Sequence, residues 1–373
     1  MHRWVVRGGL ALALGTTVAS SPQSPTTRLS VTEAIARYAS GDFDAAVRNL
    51  NTAQLTVTAF TRALDEWTAA GDAVSQPRRR LVAAAFALDA NWATTRTIQN
   101  EHWPNADLWG KVTPDDRWRL EDFKSQNLVP LWAIRQLPAK GPLEPIERTL
   151  WLAAIGIAED GHAWYRLEQE ILPRARQRLS GEPRVRLAEV LAPTNLKVGS
   201  LRGPGNPLFR NDLLRVERRS PGGIADAIRA FEPLLADVAL AGEVALRVGY
   251  LEFRRHRWPA ALASFDAARA RLTEPTLIAA TDYFAGFVHE QLDQPAEAIA
   301  AYRRTLAIAP LMRNPATRLS ALLFLRNERT DAYAVLDPAL NARPAPRDLL
   351  VVVERADSRF VPEWLATIRR ALQ

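Results

Sequence analysis

Five histidines, a run of tryptophans and scattered pairs of carboxylates are the side chains through which this 373-residue sequence could do chemistry. The histidines are His2, His102, His162, His256 and His289, and no two have the spacing that sets two metal ligands on one helix face. Glu101-His102-Trp103 is not the H-E-x-x-H zinc pattern, so no metal site is expected. The carboxylate pairs Asp115/Asp116 and Glu159/Asp160 are sequence neighbours, which point apart rather than face each other across a cleft. "GSLRGPGNP" (199–207) has the glycines of a phosphate loop but not the Lys-Ser/Thr that ends one. With no G-x-S-x-G elbow either, the sequence points to no enzyme and no cofactor.

Trp103, Trp109 and Trp118 are the exception that holds interest. They stand in the stretch 100–137, between Trp92 and Trp132, with His102, Asp107 and Asp115 nearby. Rings beside polar groups suit a pocket for a sugar or an aromatic ligand. Tryptophan also fills irregular space beneath a long connection, its N–H bonded to a backbone carbonyl, and the stretch fits this packing use better.

Composition narrows the classes. There is no cysteine, which excludes disulfides, thiolate catalysis and cysteine-held zinc. Only Lys111, Lys124, Lys140 and Lys197 are lysines among 48 basic residues. The formal net charge of +7 is spread along the chain and falls further without Arg3 and Arg7, a solvation pattern rather than a nucleic-acid footprint. Arg78, Arg79 and Arg80 cluster behind Pro77 at the start of a long helical run, against the macrodipole preference, and read as a solvated group.

The elements that must position any site are helices, and four of them repeat. "GGIADAIRAFEPLL", "WPAALASFDAARA", "PAEAIAAYRRTLA" and "RTDAYAVLDPALN" align Ala227, Ala261, Ala298 and Ala332 at spacings of 34, 37 and 34 residues. Four later come Phe231, Phe265, Tyr302 and Leu336; three beyond those come Leu234, Ala268, Thr305 and Ala339. Twelve residues before the alanines lie Gly249, Gly286 and Ser320 on partner helices, small enough for two backbones to approach. Pro310 and Pro344 follow the second helices. A period near 34 with an i, i+4, i+7 apolar face predicts an all-α solenoid of antiparallel helix pairs.

At this point the chain resembles the tetratricopeptide repeat family over about residues 208–346, with a lone further repeat near 27–60. In that repeat, Ala34, Gly41, Phe43, Ala46, Leu50 and Ala53 take the small, turn, aromatic and alanine positions, behind a Ser30/Glu33 capping box. The sequence departs from the family at Arg215, where a small residue belongs, and at Arg218, Glu252, His289 and Leu323, where the first helix carries an aromatic. The resemblance implies a concave groove lined by first helices. Its register nominates Glu243, Tyr250 and Arg254 in the second unit and Tyr283, Phe287, Glu290 and Gln291 in the third. The positions by which some members clamp a terminal carboxylate hold Leu246 and Tyr250, so that mechanism is not expected.

Around the array the chain divides into segments. Residues 1–21 read as a cleaved export signal: Arg3 and Arg7, an uncharged stretch 8–19, then small residues and "SPQSPTT". An irregular α-helical region, 22–200, ends in the Pro/Gly-rich break 192–207, and the array occupies 201–346. The segment 347–373 ends in an amphipathic helix expected to cap the stack through Trp364, Leu365, Ile368 and Leu372. No later run is apolar enough to span a bilayer. The expectation is an exported, periplasmic or secreted scaffold without catalytic activity that holds a peptide or protein segment in its groove. A cell-envelope protein that binds or processes glycans through the Trp-rich region 92–132 is the other class.

Overall fold

Ser30 starts the first helix as a capping box requires. Its hydroxyl accepts from the Glu33 N–H at 3.3 Å, and the Glu33 carboxylate accepts from the Ser30 N–H at 2.8 Å. The computed structural model to which this detail belongs describes residues 28–51, 55–102, 128–161, 163–198, 221–341 and 358–373. The expected export signal, Trp103, Trp109, Trp118 and the first helix of the first repeat lie outside the described residues.

Helix α1 (Val31–Ala39) and α2 (Phe43–Arg48) form the lone repeat, with Gly41 at φ 92° in the turn between them. Helix α3 (Val57–Ala69) is capped by the Thr56 hydroxyl. Helix α4 (Gln76–His102) follows, its apolar run Ala83–Leu88 wholly buried. The arginines at the head of α4 are used locally. Arg79 donates to the Trp67 carbonyl near the end of α3 and lies 3.8 Å over the Trp67 ring. Arg78 donates to the Leu372 carbonyl at 3.1 Å. Both cations thus meet carbonyls in the last turn of another helix, where the dipole favours them.

Helix α5 (Leu128–Arg135) and α6 (Pro145–Asp160) complete the centre of the N-terminal region. Nearly every residue of α6 from Thr149 onward is buried, so it is packed on all sides. Helix α7 (Trp164–Arg166) passes through a π turn, Leu167–Ile171, into α8 (Leu172–Arg178). Helix α9 (Pro183–Val198) runs into the stretch 192–207 that the sequence marks as a break. Pro193 removes one helical hydrogen bond, but Leu191, Ala192 and Thr194 are buried and Thr194 Oγ1 donates to the Val190 carbonyl at 2.7 Å. Packing carries the helix past its proline.

The array then unfolds as the period predicts. Helix α10 (Pro221–Phe231) leads through a 3-10 turn (Glu232–Ala236) to α11 (Ala241–Arg254), paired with α12 (Trp258–Arg269). Helices α13 (Pro275–Gln291) and α14 (Pro295–Ile308) pair likewise, as do α15 (Arg313–Leu325) and α16 (Arg329–Asn341). The fold is an all-α solenoid of consecutive helix pairs.

Close approach explains the small residues. A Cβ on Gly249 would meet the Phe265 ring at 2.7 Å, and one on Gly286 the Tyr302 ring at 2.7 Å. In these two units the ring of the second helix therefore packs directly against the glycine of its partner helix. Each turn is closed by a residue seven beyond the small position: His256, Asp293 and Asn327, at φ 58°, 56° and 63°. Gly41 stands seven beyond Ala34, so the lone repeat makes the same turn with the residue best suited to it.

Two apolar cores meet at α11. Leu240, Val244 and Leu251 belong with the N-terminal helices, whereas Ala245, Leu246 and Tyr250 belong with the array. A 3-10 turn (Ser358–Phe360) and α17 (Val361–Leu372) join the N-terminal core, not the array's open end. The expected cap is thus corrected. Val361, Leu365 and Ile368 bury against α4 and α6, and charge pins them there. Arg369 meets Asp89 at 2.6 and 2.9 Å and Asp44 at 2.7 Å, while Tyr38 donates to Asp89 at 3.1 Å. Burial pushes the Asp89 carboxyl above its ordinary value, opposed by Arg369.

Candidate functional site

Glu243, Arg247, Tyr250 and Arg254 fall at i, i+4, i+7 and i+11 on α11 and so share one stripe. The register places this stripe on the concave side, yet most of it is interior. Glu243 is 4 % exposed. Its carboxylate receives Arg247 from its own helix, Arg184 from α9 and Arg359 from the turn before α17, each at 2.8 Å. Burial alone would raise its pKa, but Arg359, Arg247 and Arg184 together hold the carboxyl far below the usual range. Arg184 and Arg359 also lie over the Phe360 ring, 4.7 and 4.3 Å from its centre. The segment around Arg359 therefore occupies the second unit's groove position, which no local sequence pattern announces.

The other nominated residues divide in the same way. Tyr250 is buried, its ring stacked 6.0 Å from Phe253 and tilted 5.0 Å from Phe284. Arg254 is 5 % exposed, and neither of its terminal nitrogens has a hydrogen-bond partner. Tyr283 is buried between Phe284 and Tyr302. Glu243, Tyr250, Arg254 and Tyr283 are accordingly packing residues in this conformation rather than groove surface.

What stays open lies one unit further on. Phe287 is half-buried, edge-on to Phe253 at 5.1 Å, and the Arg318 guanidinium covers it at 4.0 Å. Phe253 continues to Trp258 at 5.6 Å, and the exposed His256 ring stands 4.9 Å from Trp258. Glu290 accepts from Arg318 at 3.1 and 3.2 Å and from the Tyr302 hydroxyl. Burial first, then Glu290, pushes the Tyr302 hydroxyl far above its ordinary value, so it stays a donor. Gln291 is exposed at the end of α13. The result is an aromatic step, Phe253–Trp258–Phe287, beside a fixed Arg318–Glu290 pair. Sequence reasoning missed Phe253, Trp258 and Arg318; the signal for the two rings is that they bracket the turn at His256, and Arg318, on the next first helix, has no such local signal.

Elsewhere the tryptophans that are described serve packing. Trp92 is buried, and Trp132 donates its Nε1–H to Asp65 at 3.1 Å. His289 Nδ1 lies 2.7 Å from Gln294 Oε1. Among the described residues no three ligating side chains gather as a metal site would require, and no helix is long and apolar enough to cross a membrane.

No protein-family model and no curated protein matches the chain. Among solved structures, the crystal structure of MamA protein aligns with 52 % of this chain and 91 % of its own, at 19 % identity and a TM-score of 0.30. A likeness that loose carries no argument about fold or function.

Proposed function

We propose that this chain is a scaffold of the tetratricopeptide class, without catalytic activity, exported to a periplasmic or secreted setting, that holds a segment of a partner protein. The aromatic step Phe253–Trp258–Phe287 supports this reading. Rings that are half-exposed, packed edge-on against one another and flanked by a charged pair offer apolar anchors with a polar guide. Phe287, Glu290 and Gln291 keep their nominated part, and Phe253, Trp258 and Arg318 join them. Glu243, Tyr250, Arg254 and Tyr283 act behind that surface by fixing α11 and α13.

The test is crosslinked partner capture with the mature protein, wild type against Phe287→Ala, after both are shown folded by circular dichroism. Loss of a specific partner from the variant supports the groove. Equal recovery of every partner overturns it.

A further inference from the structure

Packing alone does not account for Arg254. The other buried charges described in the array are each met by opposite charge. Glu243 and Arg247 pair at 2.8 Å, and Asp282 meets Arg304 at 2.9 Å and Arg269 at 3.3 Å. Glu252 lies 3.7 Å from Arg255 and 4.0 Å from Arg257. Arg254 is as buried as these, yet both of its terminal nitrogens lack a hydrogen-bond partner, and no carboxylate pairs with it among the described residues. Glu252, two residues earlier, faces another side of the helix and has its own arginines. A buried guanidinium without a counter-charge is costly, so a fold that keeps one leaves it for a partner from elsewhere. Its place says which. Arg254 is the last residue of α11, one helical turn beyond Tyr250 and next to Phe253, whose ring begins the aromatic step.

We propose that Arg254 is the anion receptor of the groove, and that it takes the carboxylate of an aspartate or glutamate side chain in the bound partner segment. This rests on the groove reading above and adds the chemistry of the segment: an acidic residue beside the apolar one that meets Phe253, Trp258 and Phe287. The two unused terminal nitrogens are the planar fork that the oxygen pair of a carboxylate fills. One guanidinium balances one negative charge, so a carboxylate leaves the place neutral where a phosphate dianion would not. A side chain delivers that charge without requiring the segment to end there. The long stem lets the tip of Arg254 swing out from the end of α11 to meet it. Arg318 does not compete, since Glu290 already holds it at 3.1 and 3.2 Å.

The probe is a library of random heptapeptides, blocked at both ends so that only side chains carry charge, screened against the full-length protein. Peptides selected by the wild type should carry Asp or Glu beside an apolar residue. A selected peptide, labelled with fluorescein and read by anisotropy, should bind about tenfold more weakly once its acid is replaced by the matching amide. In Arg254→Met the acid and amide peptides should bind equally, and Arg254→Lys should keep a smaller preference for the acid. A preference that persists in Arg254→Met overturns the proposal. Selected peptides without an acidic residue, whose binding Phe287→Ala still weakens, overturn it too and leave the groove standing. Selection of no peptide overturns both. Unblocked peptides that bind through their C-terminal carboxylate instead would make the chain end the source and overturn it. Arg254→Met should melt no lower than the wild type, because no pairing is lost. A clear drop in melting temperature, or failure to fold, would show that a carboxylate of this chain already meets the guanidinium and would overturn the proposal.

Discussion

Arg359 reaches back 116 residues to place its guanidinium on the buried carboxylate of Glu243, at 2.8 Å from one oxygen and 3.3 Å from the other. That pairing joins the segment before α17 to the stripe of α11 where the two apolar cores meet.

Glu243→Gln is expected to cost about 3–5 kcal/mol, because it leaves Arg184, Arg247 and Arg359 around a neutral amide in a buried place. Arg359→Ala should cost less, since two arginines still meet the carboxylate. Urea unfolding of both variants checks the order.

Acid should weaken the same junction. The folded Glu243 carboxyl titrates well below its ordinary value of 4.5, so its contribution is fully present above that pH and is lost as pH falls below it. Stability measured from about pH 6 to pH 3 should drop more steeply for wild type than for Glu243→Gln. Parallel curves would mean that the arginines do not govern this carboxylate.

Two turn residues should respond in opposite directions. A Cβ at Gly41 meets nothing within 4 Å, yet its φ of 92° is strained for any other residue, so Gly41→Ala should destabilise by more than about 1 kcal/mol. Asp293 sits at φ 56°, and Asp293→Gly should stabilise by about 0.5–1 kcal/mol. Thermal melts of the two variants provide the measurement.

Ala298 is fully buried where α13 and α14 touch. Ala298→Trp should overpack that contact by about 1–3 kcal/mol or more, whereas Ala300→Gln on the exposed side of α14 should be near neutral. Unchanged melting of the Trp variant would place the repeat alanines away from the contact.

Mass spectrometry of the protein taken from the mature compartment should find its first residue between 19 and 25. An intact Met1 or His2 would end the export proposal.

The array was legible because its signals are local and recur. Gly249 and Phe265 in the second unit, like Gly286 and Tyr302 in the third, lie sixteen apart, and each pair needs only its own two helices to meet. The groove was legible only in part. Register alone puts Glu243 and Tyr283 on the concave side, but it carries no information about Arg184 and Arg359, which arrive from outside the repeats. The amphipathic pattern of α17 told that one face is buried and not against what. Asp89 was the unread clue, a lone carboxylate in the apolar run of α4 that had to find a distant cation.

The stitch between Arg369 and Asp89 spans 280 residues and so sets an order of events during synthesis. The N-terminal core contains Val361, Leu365 and Ile368, and it cannot close until those residues have left the ribosome. The array between them, made of neighbour contacts, can form as soon as each pair of helices emerges. The N-terminal region, although translated earliest, is therefore the part whose packing is completed last.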